Sequence, residues 1–261
     1  MNIGIIGAGA IASFLMDKIN RNPSSNLRVT SILVRDKEKY KALTNKYSVQ
    51  LYSDVMDFVK SEIDIVVEAA NIQAIKDLYP KILPYKDFVI ISVGILADEN
   101  IYKNIYQLAN KYKRTIYLPS GAIGGLDLLQ NACAAGTVTD VSITTRKPAH
   151  TLLSNPTHEE VVYTGSAAGA IGQFPKNINV SIILSLAGIG VDRTNVTIIA
   201  DPNVENNIHT IDINGDFGKA TITVENQPLP ENPKTSYLAA MSILGTLQRI
   251  SSRWKIGNET M

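Results

Sequence analysis

Gly7-Ala8-Gly9-Ala10-Ile11-Ala12 is a G-x-G-x-x-A turn placed after an apolar β-type run and before a helical pattern. Each small residue has a mechanical use there. Gly7 permits the sharp turn, Gly9 lets the backbone approach a ligand, and Ala12 lets the helix lie close to the strand. Backbone amides at the helix start then face an anion, which the helix dipole also favours. The chemistry this predicts is pyrophosphate binding, with Gly7, Gly9, Ala10 and Ile11 as the contacts and a nicotinamide dinucleotide, NAD or NADP, as the cofactor.

The end of the second strand decides between the two cofactors, since a carboxylate there binds the ribose hydroxyl and an arginine accommodates a 2′-phosphate. The residues are Leu33-Val34-Arg35-Asp36, so Val34 stands where an acid is usual in NAD-binding chains. Arg35 and Asp36 are the candidate cofactor residues. Their other reading is as solvated residues opening the next helix, and both readings stay open at this level.

These residues need a frame. From Asn2 to about Leu118, short β-rich runs (Ile3–Ile6, Arg28–Val34, Asp64–Glu68, Phe88–Val93, Thr115–Leu118) alternate with helical patterns such as Asn100–Tyr112, the signature of βαβ units. This predicts an α/β protein with an N-terminal Rossmann domain, a doubly wound parallel sheet. After Pro119-Ser120-Gly121 the texture changes. A helix over Leu126–Ala135, a strand over Val138–Arg146, helices near Ser166–Ile171 and Lys176–Leu186, and strands over Val196–Ala200, Ile208–Ile213 and Ala220–Val224 predict a second α/β domain with a mostly antiparallel sheet. A last helix is expected from Pro233 to about Arg249, returning to the first domain. The domains expected are 1–118 with 230–261, for the dinucleotide, and 119–229, for substrate, catalysis and oligomerisation.

Composition narrows the functions. With 25 basic and 24 acidic side chains among 261 residues, no overall charge draws the chain to nucleic acid or an anionic membrane. The apolar N-terminus lacks a basic leader and is broken by glycines, and no run reaches the roughly 18–20 apolar residues of a membrane span. Cys133 is the only cysteine, which excludes an intrachain disulfide and a thiolate zinc site; no metal is expected. A cytoplasmic protein acting on a small molecule is the expectation, with the second sheet, read as apolar, supporting a homodimer.

Several segments together resemble the L-aspartate dehydrogenase family: Pro119-Ser120-Gly121-Ala122-Ile123-Gly124-Gly125-Leu126-Asp127, Thr145-Arg146-Lys147-Pro148, Phe174-Pro175-Lys176-Asn177-Ile178-Asn179-Val180, Asp201-Pro202 with Asn207-Ile208-His209, and Asn232-Pro233-Lys234-Thr235-Ser236. Their order and spacing carry the resemblance over nearly the whole chain. It implies NAD(P)-dependent oxidation of L-aspartate to iminoaspartate, which hydrolyses to oxaloacetate and ammonia, and a link to NAD biosynthesis. It also implies that His209 is catalytic, as general base or proton relay, and that Ala122 and Asn179 are cofactor contacts.

A near-neutral imidazole suits such proton movements, whereas His150 and His158 read as surface loop residues. A dicarboxylate substrate calls for cations, and Arg146 and Lys147 are candidates, or else surface charges at a strand end, with Lys234, Thr235 and Ser236 as further candidates or as helix-capping residues. The Gly/Ala-rich stretch 165–172 departs from the family pattern and suggests local mobility. Two other functions fit the same architecture: a reductase resembling dihydrodipicolinate reductase or homoserine dehydrogenase, and a non-catalytic dinucleotide sensor.

Overall fold

The computed structural model describes residues 1–154, 157–174, 178–254 and 256, with the side chain of Lys234 outside the described set. The chain forms two compact units, Met1–Pro119 joined by the last helix from Ala240 on, and the segment from Ser120 to Ala239.

In the first unit the elements are β1 (Asn2–Ile6), α1 (Ala10–Asn20), β2 (Arg28–Leu33), α2 (Ala42–Tyr47), β3 (Gln50–Tyr52), α3 (Val55–Lys60), β4 (Ile65–Glu68), α4 (Ile72–Ile82), β5 (Asp87–Val89), α5 (Glu99–Tyr112) and β6 (Ile116–Tyr117). The strands make one parallel sheet in the order β3-β2-β1-β4-β5-β6. Chain direction across the sheet reverses between β1 and β4, and in such sheets ligands bind outside the carboxyl ends of the strands at that point. Ile3, Ile5, Ile32, Val66, Val67, Phe88 and Val89 are buried, as both faces of a parallel sheet require.

The second unit carries α6 (Leu126–Ala134), β7 (Val138–Pro148), β8 (Glu160–Ser166), α7 (Ala167–Gln173), α8 (Asn179–Ala187), β9 (Thr194–Asp201), β10 (Asn207–Gly215), β11 (Gly218–Asn226) and a small hairpin, β12 (Pro228–Leu229) with β13 (Asn232–Ser236). The main sheet runs β11-β10-β7-β9-β8, antiparallel except for the β7–β9 pair. Alternation divides its faces: Val141, Ile143, Val196, Ile198, Ile211 and Ile213 are buried on one. The other presents Ser142, Thr144, Thr197, Thr210, Thr221 and Thr223, polar rather than the apolar surface expected.

The final helix, α9 (Tyr237–Ser251), starts four residues later than the sequence pattern suggests. Pro233 belongs to strand β13, not to a first helical turn. Thr235 is therefore not a helix cap; its hydroxyl accepts a hydrogen bond from the Asn232 side-chain amide at 2.9 Å. Ala240, Ile243 and Leu247 of α9 are buried. Gly165 and Gly169 also have a packing reason. A Cβ on Gly165 would meet the Tyr163 hydroxyl at 2.7 Å, and one on Gly169 would meet the same oxygen. That phenol is fixed by donating to the Ser166 carbonyl at 2.7 Å and by an edge contact of its ring with Phe174.

Candidate active site

The glycine turn joins β1 to α1 at the carboxyl edge of the first sheet, beside the reversal point. Gly7 has φ +95°, and a Cβ there would meet the Ala69 carbonyl oxygen at 2.8 Å, so only glycine allows the ends of β1 and β4 to close up. Gly9 is the N-cap of α1 and supplies no side-chain hydrogen bond to the first turn. A Cβ built on Gly9 meets nothing within 4 Å. The first-turn amides, including those of Ala10 and Ile11, thus have no capping side chain, and the turn at Gly9 has room beside it, an arrangement that fits a diphosphate.

The edge is braced by a residue that sequence reasoning missed. Glu68, wholly buried at the end of β4, accepts hydrogen bonds from the amides of Ala70 (2.8 Å), Ile91 (3.2 Å) and Ser92 (2.9 Å) and from the Ser92 hydroxyl (3.0 Å). Burial pushes its pKa up, and these donors oppose that push. The carboxylate ties the chain leaving β4 to the chain leaving β5.

At the end of β2, Val34 is buried and its amide donates to the Tyr52 carbonyl at 2.9 Å. Arg35 and Asp36 are both exposed. One Asp36 oxygen accepts from the amides of Glu38 (3.0 Å) and Lys39 (3.1 Å), so that carboxylate caps the turn that follows.

In the second unit, His209 lies on β10 between β7 and β11, paired with Thr145 on one side and Val224 on the other. It is 4% exposed. Thr145, 1% exposed, places its hydroxyl oxygen 3.0 Å from His209 Nδ1. Lys147, two residues along β7 and so on the same face, is half-buried. Burial and the neighbouring Lys147 charge lower the His209 pKa from 6.5 to about 4. Burial likewise holds the Lys147 ammonium below its ordinary range. At neutral pH the imidazole is therefore uncharged.

Arg146 does not join this group. It pairs with Ile208 across the strands, which turns it to the opposite face from His209, and its Nη1 lies 2.5 Å from both Glu159 and Asp201. The Asn203 amide and this guanidinium hold the Asp201 pKa below the usual carboxylate range. The arginine is committed to structure, and Lys147 is the cation beside the histidine.

Ala122 is buried, and its carbonyl accepts from the side-chain amide of Asn226, a buried residue, at 3.1 Å. Asn226 ends β11 and pins the turn containing Ala122; nothing local in the sequence points to it. Asn179 is the exposed first residue of α8, while residues 175–177 of the same segment lie outside the described set. His150 and His158 are exposed, as expected of surface loops. Among the described residues no helix is long and apolar enough to cross a membrane.

Comparison with known proteins matches two family models to successive parts of the chain. Residues 7–119 match the family model "Homoserine dehydrogenase, NAD binding domain", and residues 127–250 match "Aspartate dehydrogenase, C-terminal". The crystal structure of aspartate dehydrogenase from Thermotoga maritima superimposes with a TM-score of 0.78 at 30% identity, covering 98% of this chain and 99% of that one. Apo scyllo-inositol dehydrogenase from Lactobacillus casei, at 13% identity and TM-score 0.62, shares the fold alone. The L-aspartate dehydrogenase of Nitrosopumilus maritimus is 40% identical over 96% of both chains, and that of Methanosarcina barkeri is 36% identical over 98% of this chain and 99% of its own. Identity of that degree, sustained through both the glycine turn and the sheet that carries His209, means that the chain belongs to the L-aspartate dehydrogenase family.

Proposed function

We propose that this protein is an NAD(P)-dependent oxidoreductase that converts L-aspartate to iminoaspartate, which hydrolyses to oxaloacetate and ammonia. The carrying observation is the set of polar groups on one face of the second sheet: a neutral buried His209 held by Thr145, with Lys147 beside it. The nicotinamide, when bound, supplies the hydride acceptor. Gly7, Gly9, Ala10 and Ile11 would hold its diphosphate at the α1 N-terminus, and Ala122 and Asn179 are the proposed further contacts.

Lys147 is the proposed partner for a substrate carboxylate. Burial lowers the pKa of its half-buried ammonium, and pairing with a substrate carboxylate would favour the charged form. Lys234 and Thr235 remain further candidates, whereas Arg146 is withdrawn from the substrate set on the geometry above. His209 serves the substrate through Nε2, the ring nitrogen that Thr145 leaves available.

The test is to follow NAD(P)H absorbance with aspartate in one direction and oxaloacetate plus ammonia in the other, using both cofactors. Aspartate-dependent reduction that falls about 10²-fold or more in His209→Ala, with cofactor binding retained, supports the reading. Turnover only on another substrate, or undiminished turnover in that variant, defeats it. The same proposal places the enzyme in the cytoplasm as a homodimer serving NAD biosynthesis; light scattering of the purified protein tests the assembly.

A further inference from the structure

We infer that the Thr145 hydroxyl fixes His209 in the tautomer protonated on Nε2, so that the histidine meets its substrate as a hydrogen-bond donor, and that Thr145 is a positioning residue. This rests on the proposed activity for its consequence, but the tautomer itself follows from the hydrogen bonding.

A threonine hydroxyl carries one proton and must place it on an acceptor when buried, since an unsatisfied donor costs about 1–3 kcal/mol. Thr145 is 1% exposed, and among the described residues the only hydrogen-bond partner of its hydroxyl is His209 Nδ1, at 3.0 Å. Were the imidazole proton on Nδ1, that N–H would donate to the hydroxyl oxygen and the hydroxyl proton would be stranded. With the proton on Nε2, Nδ1 accepts from Thr145 and both groups are satisfied. The register makes this arrangement rigid, because the two residues are directly paired on adjacent strands.

The consequence differs from a general base. A base must present a lone pair, and here the lone pair faces Thr145 while the N–H is offered outward. Burial and the Lys147 charge, which together hold the ring neutral, work against its becoming an imidazolium. A neutral imidazole in this state polarises an acceptor without transferring its proton. Placed against the nitrogen of the imine, Nε2–H draws electron density from it; water then adds to the carbon, the C–O bond forming as the C=N π bond opens onto nitrogen, and the proton lost by the water passes to that nitrogen. No atom leaves the histidine in this step.

The test is nitrogen NMR of the full-length protein with labelled histidine at neutral pH, assigning His209 by its loss in His209→Gln. The inference expects a protonated-type shift at Nε2 and an unprotonated one at Nδ1. Thr145→Val, which removes the hydroxyl and keeps the shape, should move the population toward the Nδ1–H form and lower kcat about tenfold or more with cofactor affinity unchanged. Thr145→Ser should restore the wild-type tautomer and most of the rate. An Nδ1–H wild type overturns the inference, as does a tautomer unmoved in Thr145→Val. The wild-type spectrum decides even where a variant fails to fold. A protein inactive on aspartate that nonetheless shows Nε2–H lost in Thr145→Val defeats the activity reading and upholds the tautomer.

Discussion

Arg146 and His209 stand on neighbouring strands of one sheet but on opposite faces, because the antiparallel register pairs Arg146 with Ile208 and leaves Thr145 opposite the histidine. One residue of offset thus separates the cation held by two carboxylates from the cation beside the histidine. Arg146 joins Glu159 and Asp201, while Lys147 shares the face of Thr145 and His209.

That separation predicts different phenotypes for the adjacent cations. Arg146→Met should lower Tm by several degrees, since it leaves two carboxylates facing each other, with KM for aspartate little changed in the folded fraction. Lys147→Met should raise KM for aspartate about tenfold or more while leaving cofactor affinity intact. Thermal melts and steady-state kinetics on both variants check this; a KM effect confined to Arg146→Met would reverse the assignment.

How far these relations were legible in the sequence depends on their range along the chain. The glycine turn was readable because strand, turn and helix are contiguous from Asn2 to Asn20. Thr145 and His209 are separated by 64 residues, and Asn226 and Ala122 by 104, so only the strand register brings either pair together. Glu68 reads as a strand residue, but its role depends on amides 23 and 24 positions away. Local pattern also failed at ends. The run Phe88–Val93 reads as continuous strand, yet β5 stops at Val89, where the chain turns to bring the Ile91 and Ser92 amides onto Glu68. The three-residue β3 was too short for its alternation to register.

His209 predicts a pH-dependent term in stability. Its folded pKa of about 4 lies below the ordinary value of 6.5, so above the latter the ring is neutral in both states and contributes no slope. Between them the unfolded chain takes up a proton that the folded protein refuses, and stability falls with falling pH by about 1.4 kcal/mol per unit, approaching about 3 kcal/mol. Urea unfolding of wild type and His209→Gln from about pH 8 to about pH 4.5 should show this extra slope in the wild type only. Parallel curves would show that the ring titrates normally in the folded protein.

Cofactor preference is expected to rest on Arg35. Val34 is buried and apolar, and an oxygen of Asp36 is occupied by two backbone amides, which leaves the exposed guanidinium as the group able to meet a 2′-phosphate. Arg35→Ala should weaken NADP binding about tenfold and leave NAD binding nearly unchanged. Calorimetric titration with each dinucleotide, and with 2′,5′-ADP against 5′-ADP as probes, reads this without turnover. Equal losses for both cofactors would remove Arg35 from phosphate recognition.

Gly169 predicts an inversion of the usual helix rule. Within α7 an alanine would ordinarily stabilise by about 1 kcal/mol relative to glycine. Here the added Cβ would strike the Tyr163 hydroxyl, whose position is fixed by the Ser166 carbonyl and by the Phe174 ring. Gly169→Ala should therefore destabilise by about 1–3 kcal/mol, the ordinary range for overpacking. In a Tyr163→Phe background the clash partner is gone, and the same substitution should become neutral or stabilising. A double-mutant cycle by urea unfolding measures the coupling directly. If Gly169→Ala has the same effect in both backgrounds, the tyrosine does not explain the glycine, and the glycine content of 165–172 needs another physical cause.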